Sequence, residues 1–321
     1  MTEQRVSFQT VVEALLDSKE FPRRYLQFLS DIDPASLALL LEAWPRIKPA
    51  RKRALLKYLE ATLEEDTLVS YDDFARALLE DPETATRRSA IRLLVECDDP
   101  RLVPAYIKML ETDEDPATRA EAVTALGHFI RLGELEEIPQ KAHRQVEDAL
   151  LRAVNSQADA DVCRRALEAV GFSSRPEVST LIEAAFRRAD HEWRASALVA
   201  MGRSIDDRWQ EQVISMLLSE NPQERLAAVQ ASGELGLVLA RPLIIRLLEE
   251  EEDDDITTAA IWALSQIGGE DARTYIESLL DITEDEDQIE FLEEALENLD
   301  FTEDLERFDL LAFDPENEEA D

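Results

Sequence analysis

The chain has 321 residues, of which 45% are hydrophobic, and that excludes an intrinsically disordered polymer. Acids outnumber bases 71 to 34, a net charge of −37. This balance opposes nucleic acid, whose binding draws on neutralised phosphates, and opposes anionic membrane surfaces. Neutral or basic proteins, drawn in by long-range steering, are the expected partners. Ala, Leu, Glu and Arg dominate, Gly is scarce at 8 and aromatics make up 6%. Strong helix formers without strand-type alternation predict an all-α fold.

The first stretch, "MTEQRVSFQTVVEALLDS", lacks the basic n-region and long apolar core of a signal peptide. No run approaches the roughly 20 apolar residues of a membrane span. Residues 1–48 hold three helical stretches with bulky side chains, Phe8, Phe21, Tyr25, Phe28 and Trp44, and are expected to cap an array. The basic stretch "RIKPARKRALLK" (46–57) follows. Its bases are expected to pair with neighbouring acids, such as "EEDT" (64–67), rather than to dock an acidic partner or phosphate.

From residue 49 to 300 the chain repeats. The copies "RRSAIRLLV" (87–95), "RAEAVTALG" (119–127), "CRRALEAVG" (163–171), "RASALVAMG" (194–202), "RLAAVQASG" (225–233) and "TTAAIWALS" (257–265) align on Ala90, Ala122, Ala166, Ala197, Ala228 and Ala260. The spacings are 32, 44, 31, 31 and 32, a stacked helical array with one 12-residue insertion. Each alanine, the residue after it and the residue four after it fall on one helical face, an inward stripe. A second alanine follows in five copies, at Ala125, Ala169, Ala200, Ala231 and Ala263, where a neighbouring helix can approach closely. Gly127, Gly171, Gly202 and Gly233 are expected to close their helices in the left-handed conformation.

A second amphipathic helix follows each copy, for example "RLVPAYIKML" (101–110) and "ARPLIIRLLE" (240–249). Acidic turns such as "ETDEDP" (111–116) and "SENP" (219–222) then suit the next helix N-terminus. The insertion "HFIRLGELEEIPQKAH" (128–143) is either a loop on a binding face or a longer helix pair. After "IEFLEEALENLDF" (289–301), read as the last helix, comes an acidic tail, 301–321, whose "FDLLAF" (308–313) could dock back. Between Glu270 and Asp321 there are 22 acids and two bases.

The segments "DPATRAEAVTALG" (115–127) and "AAIWALSQIGGEDARTYIESLL" (259–280) resemble HEAT repeats of the phycobilisome-lyase-like type. The resemblance covers roughly 84–300 and, more loosely, 49–80. Eight residues before the helix-end position stand Arg87, Arg119, Arg194 and Arg225, nearly in register with the family's arginine, which stands seven before it. Cys163 and Thr257 depart, so an arginine–carboxylate ladder would break there. The implied fold is an α-solenoid of about eight HEAT-like helix pairs with atypical end caps. The family label implies no lyase activity here.

No G-x-S-x-G, P-loop or G-x-G-x-x-G stands in the sequence. His128, His143 and His191 show no zinc-ligand spacing and read as surface or capping residues, so neither metal nor cofactor is expected. Cys97 and Cys163, about two units apart and on the order of 20 Å from each other at helix-layer spacing, read as buried, unbridged thiols, which suits a reducing cytoplasm. The acidic runs lack the spaced ligands of an EF-hand. Trp262 reads as packing on the next unit. The expected function is that of a non-catalytic cytoplasmic scaffold or adaptor that binds a protein or peptide. An accessory subunit of a chromophore-lyase-like enzyme is the alternative, and nucleic-acid binding a more distant one. The resemblance implies that the second helices line a concave side. Aligned on their closing leucines, these helices place Lys108, Arg152, Glu183, Met216, Arg246 and Ser278 at one equivalent position. With three cations among six, an acidic or amphipathic helix is the expected ligand.

Overall fold

The computed structural model describes residues 6–17, 21–66, 68–156 and 159–312. Among these residues there are helices and no strand, so the fold is the all-α array of stacked helix pairs expected. It divides into two compact units, one up to Ala166 and one from Leu167. The first holds α1 (Phe8–Asp17), α2 (Pro34–Ala43), α3 (Pro49–Glu65), α4 (Asp72–Leu78), α5 (Thr84–Arg92), α6 (Val103–Thr112), α7 (Pro116–Glu134) and α8 (Gln140–Val154). The division falls within α9 (Ala160–Val170). The second holds α10 (Pro176–Phe186), α11 (His191–Arg203), α12 (Gln210–Met216), α13 (Pro222–Glu234), α14 (Arg241–Glu250), α15 (Asp254–Ile267), α16 (Glu270–Ile282) and α17 (Glu286–Ala312).

The acidic turns start helices as the sequence indicates. Asp115 accepts from the Thr118 amide at 2.9 Å, and Asn221 accepts from the Gln223 amide at 3.0 Å. The prolines after them, Pro116 and Pro222, occupy the first helical turn, where no amide is needed. Behind these caps lies the inward stripe. Ala90, Ala122, Ala166, Ala197, Ala228 and Ala260 are all fully buried, and so are Val123, Leu126, Leu198, Met201, Val229 and Leu264. In the N-terminal cap, Trp44 packs edge-on against Phe74 at 5.2 Å.

The glycines do something other than expected. Gly127 lies inside α7, and Gly202 and Gly233 lie inside α11 and α13. A methyl at Gly171 would come within 2.8 Å of the Ala200 backbone. At Gly202 it would come within 2.9 Å of the Ala231 Cα, and at Gly233 within 2.9 Å of the Ala263 Cα. Gly171, Gly202 and Gly233 are therefore contact residues, each receiving the second alanine of the following copy. The left-handed closing residues stand three positions later, at Ile205 (φ 47°) and Gly236 (φ 58°). Glu136 (φ 59°) closes α7 in the same way.

The insertion is helical. It lengthens α7 to 19 residues and opens α8 after a short turn, so the longer helix pair is the form adopted. At the other end α17 does not stop at residue 301 but runs to Ala312. Nothing in "TEDLERFDLLA" breaks a helix before Pro315. The docking expected of "FDLLAF" lies outside the described side chains.

One arginine per copy ties the array together. Arg87, Arg119, Arg194 and Arg225 each donate from Nη1 to the carbonyl six residues earlier, those of Asp81, Asp113, Arg188 and Ser219, at 2.9, 2.9, 3.4 and 2.9 Å. Three of them also reach forward to a carboxylate. Arg87 holds Asp113 with two bonds of 2.7 and 2.8 Å. Arg225 holds Glu251 with two of 2.9 and 3.2 Å. Arg194 bonds Glu224 at 2.5 Å. Each guanidinium thus fastens the turn before its own helix to an acid in the next copy, with Asp113 and Glu224 nearly excluded from water.

Gly202→Ala should destabilise the protein. The methyl gains about 1 kcal/mol of helix propensity but collides with backbone, and overpacking costs about 1–3 kcal/mol. Three residues on, the exposed, β-branched Ile205 sits at positive φ, and Ile205→Gly should stabilise by about 0.5–1 kcal/mol. Urea midpoints moving in opposite directions are the check.

Arg225→Ala should cost about 2–3 kcal/mol, because it strands the partly buried Glu251. The Arg225 guanidinium holds the Glu251 carboxyl below its ordinary value. Burial alone would raise Glu224, but hydrogen bonds from Ser219, Arg194 and His191 bring it below the usual range. Depressed folded-state values mean that the unfolded chain binds protons first. Stability from these clamps is therefore complete above the ordinary glutamate value of 4.5 and is lost as pH falls through the lower folded values. Denaturation at a series of pH values should show that loss, and Arg225→Gln should shrink it.

Candidate protein-binding surface

The six aligned residues all fall on the second helices. Lys108 lies on α6 and Arg152 on α8, both exposed in the first unit. In the second unit Glu183 and Met216 are half-buried, while Arg246 and Ser278 are exposed. The cations are not bare. Lys108 bonds Glu80 at 2.8 Å, and Arg152 bonds Glu111 at 2.9 Å. Arg246 lies 3.8 Å from Glu250, one turn on. Glu183 accepts from Arg187 at 2.5 Å and the Ser278 hydroxyl donates to the Tyr275 carbonyl at 2.6 Å. The second-unit members that make polar bonds are thus satisfied on their own helices.

Lys108 and Arg152 instead edge two separate grooves of the first unit. Lys108 borders one with Glu80, Arg87 and Met109. Arg152 borders a groove of about 390 Å³, whose apolar walls are Leu110, Ala149, Ala153 and Val162 and whose far side carries Arg119 and Ser156. Here the clamp is incomplete. Arg119 bonds the Asp113 carbonyl but meets no carboxylate among the described residues. The turn "NSQAD" (155–159) has no acid before Asp159, and Asp159 caps α9 through the Asp161 amide at 3.0 Å. Two guanidinium groups therefore edge the slot, Arg152 paired with the Glu111 that also lines it and Arg119 with a forward position that an incoming carboxylate can fill.

A second groove, about 630 Å³, runs over α11, α13 and α15 in the second unit. Trp262, 38% exposed, lies in it with Leu226, Phe291, Arg203, Gln230 and Glu234. Trp262 is thus more open than a residue packed wholly on its neighbour. Glu234 is exposed as a residue, yet its carboxyl folds back beside Gly202. Loss of hydration raises its pKa there, and Arg203 opposes that rise.

Of the basic stretch, Lys52 and Arg51 turn inward, while Arg46, Lys48, Arg53 and Lys57 are exposed. Lys52 is buried, 3.6 Å from Asp81 and over the Trp44 ring at 4.8 Å. Arg53 pairs with Glu83 at 2.5 Å, and Arg51 donates to the Ala14 carbonyl at 3.0 Å. Among the described residues, Lys52 thus pairs with Asp81 and Arg53 with Glu83, rather than with acids at 64–66. Neither thiol is bridged. Cys163 is buried, but Cys97 is only half-buried, with Arg76 donating to its Sγ at 3.1 Å. Burial pushes the Cys97 thiol pKa up. His128 bonds Asp98 at 2.6 Å, and His191 bonds Glu224 at 2.9 Å. No described helix is long and apolar enough to cross a membrane.

Residues 72–140 and 210–299 match the model of HEAT repeats. No curated protein matches the chain in sequence. Among solved structures it is similar to the complex of CpcE and CpcF of phycocyanin lyase from Nostoc sp. PCC7120, at 16% identity over 94% of this chain and 97% of that one, with a TM-score of 0.46. It is similar to importin beta at 13% identity over 91% of this chain and 41% of that one, TM-score 0.44. An engineered protein matches at 15% identity over 91% and 88%, TM-score 0.38. At such identities none of these likenesses bears on what this chain binds.

Placing a carboxylate beside Arg119 should complete the clamp from within. Ser156→Asp is expected to raise stability by about 0.5–1 kcal/mol, the worth of a well-formed, half-exposed ion pair. Thermal melting at low and high salt checks it, the gain shrinking as salt screens the pair.

Proposed function

The chain carries HEAT repeats, and from that premise we propose that it is a non-catalytic scaffold or adaptor of the reducing cytoplasm. Its ligand is a protein or peptide segment held on the second-helix surface of the first unit. The ligand is an amphipathic helix with one carboxylate anchor on an otherwise neutral or basic partner. The observation that carries this reading is the incomplete arginine clamp, with Arg119 and Arg152 facing an apolar slot. An arginine fork binds a carboxylate with directed, charge-assisted bonds. Leu110 and Val162 offer apolar contact for the flanking side chains.

The net charge of −37 does not oppose a single acidic anchor. Screening confines the interaction to about 8 Å at physiological salt, so the local field is set by Arg119, Arg152 and the Glu111 that pairs with Arg152, a net positive charge. The same net charge favours a partner whose remaining surface is neutral or basic, and it disfavours nucleic acid. In the second-unit groove at Trp262 the cation is Arg203, which lies over the Phe172 ring and near the Glu234 carboxyl.

The test selects helical peptides from a displayed library against the full chain and measures affinity by fluorescence anisotropy. Selected peptides should share a Glu or Asp flanked by Leu, Ile or Phe. Arg152→Glu should weaken binding at least about tenfold, a loss of 1.4 kcal/mol or more, with no fall in melting temperature. Ser156→Asp should weaken binding while raising the melting temperature, and Trp262→Ala should leave affinity unchanged. Binding that survives Arg152→Glu and Ser156→Asp but is lost in Trp262→Ala would move the site to the second unit.

A further inference from the structure

The 12-residue insertion brings together three side chains that the linear sequence keeps apart. Glu134 is the last residue of α7, and His143 and Glu147 stand one turn apart on α8. The His143 Nε2 lies 3.5 Å from a Glu134 carboxylate oxygen and 3.9 Å from a Glu147 oxygen. One donor atom from each of the three lies within 4.8 Å of the others. Nothing else in the array requires this arrangement, since the remaining copies keep a period of 31–32 without it.

Two further observations point to a ligand. The Nε2 of His143 is shut off from solvent and has no hydrogen-bond partner. The nearby carboxylate oxygens, at 3.5 and 3.9 Å, make no hydrogen bond to it. A buried, unpaired ring nitrogen costs free energy unless something binds it. Gly133 supplies the space, because a Cβ at that position would overlap the His143 ring. The helix crossing is thus shaped around the imidazole.

We propose that Glu134, His143 and Glu147 form a binding site for a zinc-class divalent cation, with a fourth position open to water. One imidazole and two carboxylates are a donor set that this class of ion accepts. Tetrahedral bonds of about 2.0–2.1 Å place ligand atoms about 3.3–3.4 Å apart. The His143–Glu134 spacing of 3.5 Å is close to that edge, and Glu147, 3.9 Å from His143 within a set spread over up to 4.8 Å, closes it by a side-chain movement on the order of 1 Å. Glu147 is buried, so the cation would neutralise a carboxylate held largely out of water. Glu134 is less covered, and it gives the ion a path from solvent. Bound metal would pin α7 to α8 at the inserted turn.

The test is calorimetric titration of the full chain with zinc chloride at physiological salt, with excess Mg²⁺ to saturate diffuse acidic sites. One Zn²⁺ per chain is expected, with a rise in melting temperature. His143→Gln and Glu134→Gln should each weaken it at least about tenfold, the loss seen even for an outer-shell partner. Glu134 ends a helix and is partly exposed, so its variant keeps the test valid should the His143 variant fold poorly, and circular dichroism reports folding in both. Absence of stoichiometric Zn²⁺ uptake, or uptake unchanged in either folded variant, overturns the proposal.

Discussion

The arginine fork is the constraint on which the rest depends. Within a copy it bonds the carbonyl six residues back, and so fixes how the chain leaves one helix pair and enters the next. Across copies it bonds an acid in the following turn or helix. Both functions need a planar group with donors on two edges, which a lysine ammonium does not offer. Arg87 and Arg225 satisfy both edges. Arg119 satisfies one, and the groove beside it is the site proposed above for a partner. The same physics that holds the array together also marks its gap.

Close helix approach is the second constraint, and it works through small residues in pairs. A glycine of one copy receives an alanine of the next at Gly171–Ala200, Gly202–Ala231 and Gly233–Ala263. Little side-chain surface is buried at such a contact, so its strength comes from the backbones and from the stripes that flank them. Larger residues in the stripe, such as Leu198 and Met201, are thereby brought against the neighbouring helix and sealed from water. At these three contacts there is no room for a ring; the fully buried rings Tyr71, Phe74, Tyr106 and Phe129 lie in the first unit.

Much of this was legible in the sequence because the repeat period and inward stripe are linear signals. The six aligned alanines are all buried as the register requires. The role of the glycines was not legible, because a helix-closing glycine and a contact glycine occupy the same place in the text. The positive-φ residue that separates the two readings is Ile205 in one copy, where no composition rule would put it. The aligned cations were legible as exposed positions, but their partners were not. Glu80 lies 28 residues from Lys108, and Glu111 lies 41 from Arg152. Arg119 could have been singled out from the missing acid in "NSQAD". The His143 cluster could not, since its members are brought together only by the helix hairpin.

The glycine–alanine contacts of the second unit have a consequence for how such a chain changes length. Each interface pairs the same two residue types, with the alanine 29 or 30 positions after its glycine. The interfaces are therefore interchangeable. Removing one whole period between equivalent points would bring a glycine against an alanine in the same register, with a matching stripe on either side. A duplication would do the same. Within this unit, gain or loss of a complete repeat is a near-neutral step for the core, whereas a deletion of a few residues would put a larger side chain against a backbone that has no space for it. The array is thus tolerant of large, in-phase changes and intolerant of small ones.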